Sequence, residues 1–266
     1  MSRIGIIAGS GPLPIMAARE AKASGRTVIV VAFREEADPV VEAVADRLHW
    51  VAVGQLGGLI RVFKREGVTE AVMLGKVRMN HLFTRVRPDV QGALLLLRLK
   101  DRRGDSIMEA FAQALERAGI SLLDCTQFLT HALVEHGALT RRAPTEREWN
   151  DIRVGQEVAR TLARSRIGQT VVVKNGTVLA VEAIEGTDAA VRRGAELGGN
   201  GVVVVKVYHP DHDFRFDVPV VGPTTIAVLR EVGGAVLAVE AKRTFLLDRD
   251  QALALANEAG IAVVAD

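Results

Sequence analysis

The chain has 266 residues, 48% of them hydrophobic, which is enough for one large domain or two ordinary ones with sizeable cores. Its formal net charge of +2, with basic residues spread along the chain, lacks the concentrated positive field of a nucleic-acid binder. The single cysteine, Cys125, excludes an intrachain disulfide and has no zinc-like Cys/His spacing around it, which fits a reducing compartment.

The N-terminus begins Met1-Ser2-Arg3 and enters an apolar run without the basic and long apolar regions of a signal peptide. Arg3 to Ala8 therefore reads as a buried strand. Gly9-Ser10-Gly11-Pro12-Leu13-Pro14 follows as a turn, Ile15 to Ser24 as an Ala-rich helix, and Thr27 to Phe33 as a second strand, together a βαβ unit. Gly9, Ser10 and Gly11 either simply make the tight strand-to-helix turn or let a phosphate approach backbone N–H groups at the helix start. The full dinucleotide fingerprint is absent, because the third glycine is missing and two prolines intervene.

The alternation continues with strands at His49 to Val53 and Glu70 to Leu74 and a helix around Leu59 to Glu66. Lys76, just past a strand end, reads as a solvated lysine after a turn or, more sharply, as a residue placed where open α/β sheets bind ligands. Asn80-His81-Leu82-Phe83 leads on to Pro88 to Lys100, a helix apolar around much of its circumference with Leu94 to Leu97 consecutive, which reads as core or interface, with a lipid-accommodating groove as the sharper alternative. A helix over Ile107 to Ala118, a strand ending at Asp124 and a short helix from Phe128 to Glu135 close this half. Gly137 to Thr145 has the polarity and proline of a linker, and Thr145 with Glu148 predicts a capping box. The expected division is 1–137, linker 138–148, and 149–266.

In the second half, two strands flank Asn175-Gly176, the dipeptide of a tight hairpin. Gly186-Thr187-Asp188 opens a helix, Gly201 to Val207 is an apolar strand carrying Lys206, and Gly222-Pro223-Thr224-Thr225 opens another helix. Further strands and a helix over Asp250 to Ala259 complete a mixed α+β half. No uninterrupted apolar run approaches the ~18–20 residues that span a bilayer.

Polar residues alternate with phenylalanine in Asp213-Phe214-Arg215-Phe216-Asp217. An extended segment would put Asp213, Arg215 and Asp217 on one face, where two carboxylates hold Mg²⁺ or Mn²⁺ and the arginine grips phosphate. A self-satisfied ion pair at a surface is the plainer reading of the same residues. Lys206, Asp188 and the Gly222–Thr225 helix entrance add further anion- or metal-friendly ends, a pattern suited to a pyrophosphate site.

Gly5-Ile-Ile-Ala-Gly-Ser-Gly-Pro-Leu-Pro14, Gly75-Lys-Val77, Val181-Glu-Ala-Ile-Glu-Gly-Thr-Asp188 and Arg215-Phe-Asp-Val-Pro219 with Gly222 and Thr225 resemble, nearly end to end, the LpxI-type UDP-2,3-diacylglucosamine hydrolases of lipid A biosynthesis. The resemblance implies an α/β fold, with a Rossmann-like N-terminal domain and a mixed α+β C-terminal domain. It also implies Mg²⁺-dependent cleavage of a pyrophosphate to UMP and 2,3-diacylglucosamine 1-phosphate, with Asp217 matching an essential aspartate. On that basis Asp217 and Asp213 are the expected catalytic residues and Asp188, Asp213 and Asp217 the metal ligands, with Mn²⁺ as an alternative ion. Gly9, Ser10, Gly11, Lys76, Thr187, Lys206, Arg215, Gly222 and Thr225 are the expected substrate contacts. Ala189-Ala190 departs from the family pattern, where a methionine is expected second, and bears on acyl-chain preference.

The expected setting is cytoplasmic, with transient contact at the inner membrane face, a lipid-linked UDP-sugar as substrate and no nucleic acid; a homo-oligomer is compatible with the sequence but not specified by it. The competing readings are hydrolysis of another UDP-sugar, a non-catalytic UDP-sugar sensor, and a nucleotide-dependent oxidoreductase built on the first βαβ unit.

Overall fold

Short Val/Ile/Leu runs between glycines leave the chain few choices but buried strands, and the computed structural model, which describes residues 2–77, 88–99, 104–208, 213–216 and 218–266, bears this out. Its contacts divide into two units, one of Met1–Leu129 with Asp213–Asp217 and one of Thr130–His212 with Val218–Asp266.

The first unit runs β1 (Arg3–Ala8), α1 (Leu13–Ala23), β2 (Thr27–Phe33), β3 (Arg47–Val51), α2 (Leu56–Arg65), β4 (Glu70–Leu74), α3 (Val90–Arg98), α4 (Gly104–Arg117) and β5 (Ser121–Leu122). The strands form a parallel sheet in the order β3-β2-β1-β4-β5. Ile4, Ile6 and Ile7 of β1 are fully buried, as a central parallel strand covered on both faces requires. Leu56, Leu59, Ile60 and Phe63 form the buried stripe of α2 at helical spacing. A Cβ on Gly5 would stand 2.7 Å from the Phe63 ring, so this helix lies directly on the backbone of β1. The chain builds outward from β1 to β3, then crosses back to place β4 on the other side of β1. That reversal makes the carboxyl ends of β1 and β4 the switch point where open α/β sheets take their ligands.

The second unit contains β6 (Gly137–Ala138), α5 (Glu146–Arg164), β7 (Thr170–Lys174), β8 (Thr177–Val181), α6 (Thr187–Gly198), β9 (Val203–Lys206), β10 (Val220–Val221), α7 (Pro223–Glu231), β11 (Val236–Val239), β12 (Phe245–Leu246), α8 (Arg249–Glu258) and β13 (Ala262–Ala265). Its mixed sheet has the order β6-β13-β11-β9-β7-β8, with β9, β11 and β13 parallel and β7 antiparallel to both neighbours. Valine alternation serves two cores. Val171, Val173, Val203 and Val205 meet Ile152 and Ala159 of α5, while Val172, Val204, Leu237 and Val263 meet Val191, Ile226 and Ala252 of the helices on the other face.

Local chemistry behaves as the sequence leads one to expect at two places. Thr145 and Glu148 form the capping box at the start of α5. Asn175 and Gly176 both have positive φ, 51° and 74°, and turn β7 into β8. The same turn is tied down by Asp151, only 5% exposed, whose carboxylate accepts from the N–H groups of Asn175 (3.0 Å) and Gly176 (2.6 Å). Asp151→Ala strands both donors, and a loss of about 2 kcal/mol in unfolding free energy is expected by urea denaturation.

The expected helix from Phe128 to Glu135 is instead a single 3₁₀ turn, Thr130–Ala132. Long-range backbone pairing overrides the local propensity: Leu133 bridges Phe245, and Val134 N–H donates to the Thr244 carbonyl. Residues 138–148 are held along the second unit's sheet, where Leu139 N–H donates to the Val263 carbonyl and the Thr140 hydroxyl accepts from Val263 N–H.

Candidate functional site

In the first unit the switch point is built from two interlocked turns. Gly9 N–H donates to the Leu74 carbonyl, and Ser10 and Lys76 exchange backbone hydrogen bonds of 2.9 and 3.0 Å. The Ser10 hydroxyl adds a bond to the Lys76 carbonyl at 2.9 Å. The approach is closer than side chains permit, since a Cβ on Gly9 would fall 2.7 Å from the Lys76 carbonyl oxygen. Gly9, Ser10 and Lys76 are thus brought together at the carboxyl edge. Gly11, with φ of 96°, has open space beside it where the chain enters α1. Pro12 and Pro14 carry no N–H, so Gly11, Leu13 and Ile15 supply the backbone N–H groups at that entrance.

In the second unit, strand pairing assembles a polar row that the linear sequence hides. Thr170 lies opposite Lys206 in the β7–β9 register, and the Thr170 carbonyl accepts from Glu182 N–H across the β7–β8 edge. Glu182, Thr170 and Lys206 therefore occupy neighbouring strands in one row. All are buried, Glu182 at 9%, Thr170 at 0% and Lys206 at 7% exposure. Thr187, the first residue of α6, joins them: its hydroxyl donates to Glu182 Oε1 at 2.8 Å and accepts from Lys206 Nζ at 2.9 Å. Among the described residues, Glu182 Oε2 is buried without a hydrogen-bond partner.

This row stands at the carboxyl ends of β8 and β9. The Lys206 ammonium and the partial positive charge of the α6 N-terminus converge on the Thr187 hydroxyl, which also holds the Glu182 carboxylate. Gly168 makes the row possible, because a Cβ there would lie 2.0 Å from the Glu182 carbonyl oxygen. Thr170 was not among the residues singled out from sequence, and Glu182 entered only as part of the Val181–Asp188 motif, with no role of its own. Thr170 looks like an ordinary strand residue until the register places it beside Lys206.

Asp188 is half-buried in the first turn of α6, with Arg192 as an electrostatic partner. Gly222 caps α7, its carbonyl accepting from Ile226 N–H, and Thr225 follows in the first turn. Neither shares a hydrogen bond with Thr187 among the described residues.

The run beginning at Asp213 departs from the extended segment expected of it. Asp213 Oδ1 accepts from Arg215 N–H at 3.0 Å and the Asp213 carbonyl from Phe216 N–H at 2.9 Å, so the chain turns instead of alternating faces. The reason is the short aspartate side chain, which hydrogen-bonds the backbone two residues on and folds the segment back. Arg215 Nε donates to Asp213 Oδ2 at 2.7 Å, and the guanidinium lies 5.1 Å from the Phe216 ring centroid. The hydrogen bond from Arg215 holds the Asp213 carboxyl below its ordinary range, and Asp213 raises Arg215. Phe216 packs on the first unit's core and the Phe214 carbonyl accepts from Cys125 N–H. Arg215 and Asp213 thus satisfy one another here.

These observations bear on the expected metal ligands. Asp213 is paired with Arg215, Asp188 stands in the first turn of α6, and Asp217 lies outside the described residues. Among the described residues, no three His, Cys, Asp or Glu side chains are grouped to hold an ion.

A groove of about 950 Å³ lies within the first unit between α2, α3 and α4, lined in part by Leu56, Ile60, Leu94 and Leu95. Leu94 and Leu97 are exposed and not packed into the core; Leu82 and Phe83 lie outside the described residues. No helix among the described residues is long and apolar enough to cross a membrane.

Comparison with known proteins gives these edges a context. Solved structures of UDP-glucose-4-epimerase from Stenotrophomonas maltophila (14% identity, TM-score 0.31, 45% of this chain and 35% of that one) and phosphoribosylglycinamide synthetase from Anaerococcus prevotii (11%, 0.28, 67% and 38%) are too distant to carry an argument. A curated protein of Caulobacter vibrioides, UDP-2,3-diacylglucosamine pyrophosphatase LpxI, is 32% identical over 277 residues, which cover 99% of this chain and 97% of that protein. The LpxI N-terminal domain matches residues 3–132 and the LpxI C-terminal domain residues 135–264. With both domains matched in order along nearly the whole chain, the protein belongs to the LpxI family.

Proposed function

We propose that this chain hydrolyses the pyrophosphate bond of UDP-2,3-diacylglucosamine, releasing UMP and 2,3-diacylglucosamine 1-phosphate for lipid A biosynthesis. The observation that carries the reading is the buried Lys206 ammonium, fixed by the Thr187 hydroxyl at the positive end of α6. Phosphoryl transfer asks a protein chiefly for positioning and charge neutralisation, and a preorganised cation shielded from water supplies both. The family relationship supplies the substrate class.

Within this reading, Lys206 and Thr187 bind the pyrophosphate, and the Gly9–Ser10–Gly11 turn with Lys76 is a second anion-accepting surface in the first unit. Gly222 and Thr225 contribute at the α7 entrance, and Arg215 is the proposed second phosphate-neutralising charge. Mg²⁺, with Mn²⁺ as a substitute, is the proposed ion. Magnesium is commonly held by one or two carboxylates together with substrate phosphates, so the reading asks less of the protein than a three-carboxylate cage. Asp217 is the proposed essential carboxylate. The protein works in the cytoplasm and meets its lipid substrate at the inner membrane face.

The test is hydrolysis of UDP-2,3-diacylglucosamine with Mg²⁺, with chelator, and by Asp217→Ala, following UMP and the lipid phosphate by mass spectrometry in ¹⁸O-labelled water. Turnover lost in both controls is expected, with the label identifying which phosphorus water attacks. Tight UDP-sugar binding without turnover would overturn the reading in favour of a sensor. Turnover of a different UDP-sugar alone would reassign the substrate.

A further inference from the structure

The α3 helix presents an apolar face to solvent. Val90, Leu94 and Leu97 follow one another at intervals of four and three residues, which places them on one side of the helix, and they are 77%, 46% and 80% exposed. The helix is held from its other side: the N-cap Asp89 accepts from Gly92 N–H and also from Gly58 N–H of α2, each at 2.9 Å. A Cβ on Gly92 would stand 2.1 Å from the Gly54 carbonyl oxygen, so α3 is seated against the backbone beneath it. A helix fixed this closely on one side leaves the stripe on its other side as a built surface.

Charge selects the occupant. Leu94 also borders the groove shared with α2 and α4, which carries Lys64, Arg98 and Arg117 against one acid, Glu109. An exposed apolar stripe beside a net positive groove matches an interface of acyl chains and anionic headgroups, and it does not match a neutral or basic protein face. We propose that the α3 face is the surface by which this protein rests on an anionic lipid bilayer, with Val90, Leu94 and Leu97 entering the acyl boundary and Lys64, Arg98 and Arg117 meeting lipid phosphates. The inference deepens the proposed function and rests on its lipid-linked substrate, for which such a surface brings the enzyme to the plane where the substrate is held. Each contact is individually weak, so binding is reversible and sensitive to salt.

Vesicle co-sedimentation of the full chain tests it, using vesicles of phosphatidylcholine alone and with about one third phosphatidylglycerol. Binding to the anionic vesicles is expected, weakened by 0.5 M salt, with little binding to the neutral ones. The double variant Leu94→Asp, Leu97→Asp is expected to lower partitioning at least about ten-fold, with an unchanged melting temperature because both side chains already face solvent. Lys64→Glu with Arg98→Glu is expected to abolish the anionic preference. Equal sedimentation of wild type and both double variants would overturn the proposal, as would absence of binding by the wild type. Light scattering supplies a further arm: a dimer that the leucine variant converts to monomer, with vesicle binding unaffected, would assign the face to a second copy of the chain and overturn the bilayer assignment. Hydrolysis of detergent-dispersed substrate, measured in parallel, separates the two readings. Vesicle binding without hydrolysis would sink the proposed function, whereas hydrolysis without vesicle binding would sink only this surface.

Discussion

Lys206→Met is expected to lower kcat for pyrophosphate hydrolysis by about 10²–10³-fold, the range found when one preorganised donor to developing charge is removed. Methionine keeps the apolar stem that packs at the end of β9 and deletes only the ammonium, so the surrounding Val204 and Val239 core is left filled. The consequence spreads to its partners. Thr187 Oγ1 loses a 2.9 Å donor, and Glu182, whose Oε2 already lacks a partner among the described residues, loses the nearby positive charge transmitted through that hydroxyl. A buried carboxylate left less compensated costs about 1–3 kcal/mol, so the unfolding free energy should fall with the rate. Lys206→Arg is not expected to rescue catalysis, since a planar guanidinium does not fit the volume of a compact ammonium. Stopped assays with urea unfolding on the same preparations decide the matter. A methionine variant that loses stability while keeping kcat within about three-fold of wild type would show that Lys206 only holds the sheet edge and takes no part in binding phosphate.

That row also marks where the sequence stops being legible. The βαβ alternation, the Asn175-Gly176 turn and the Thr145–Glu148 cap follow from local rules, because each depends on residues a few positions apart. Gly9, Ser10, Gly11 and Lys76 were readable as candidates, since a strand's carboxyl end is a local feature even if the Ser10–Lys76 interlock is not. Thr170, and the place of Glu182 in one row with Lys206, were not readable. Their significance comes from register across β8, β7 and β9, set by pairings many residues apart in the chain. The Asp213 segment failed for the opposite reason. Alternation of Phe with charged residues is the pattern of a half-buried strand, yet an aspartate that bonds its own backbone offers a competing turn, and here the turn prevails. The helix expected over Phe128 to Glu135 lost in the same way to the Leu133–Phe245 bridge.

Gly75→Ala is expected to destabilise the first unit by about 3–5 kcal/mol and to weaken substrate binding with it. Two costs add at this residue. Its φ of 87° places an alanine in the left-handed region, worth about 1–2 kcal/mol. Its Cβ would also stand 2.6 Å from the Ser10 carbonyl oxygen and 2.7 Å from the Gly9 carbonyl carbon, and both of those atoms are backbone, with no rotamer to move aside. Relief requires the β1 and β4 turns to part, which gives up the paired Ser10–Lys76 bonds and the Ser10 hydroxyl bond at roughly 1 kcal/mol each. A loss of this size corresponds to a fall in melting temperature of about 10 °C. Gly11→Ala isolates the conformational part: its φ of 96° is equally unfavourable, but the space beside it is open, so only the backbone term of about 1–2 kcal/mol applies. The comparison separates the two contributions by calorimetry, and the KM of each variant reports whether the turn must stay closed to receive its anion. If Gly75→Ala melts no lower than Gly11→Ala, the interlock is not what holds the switch-point turns in place, and the first unit's claim to a built anion-accepting edge fails with it.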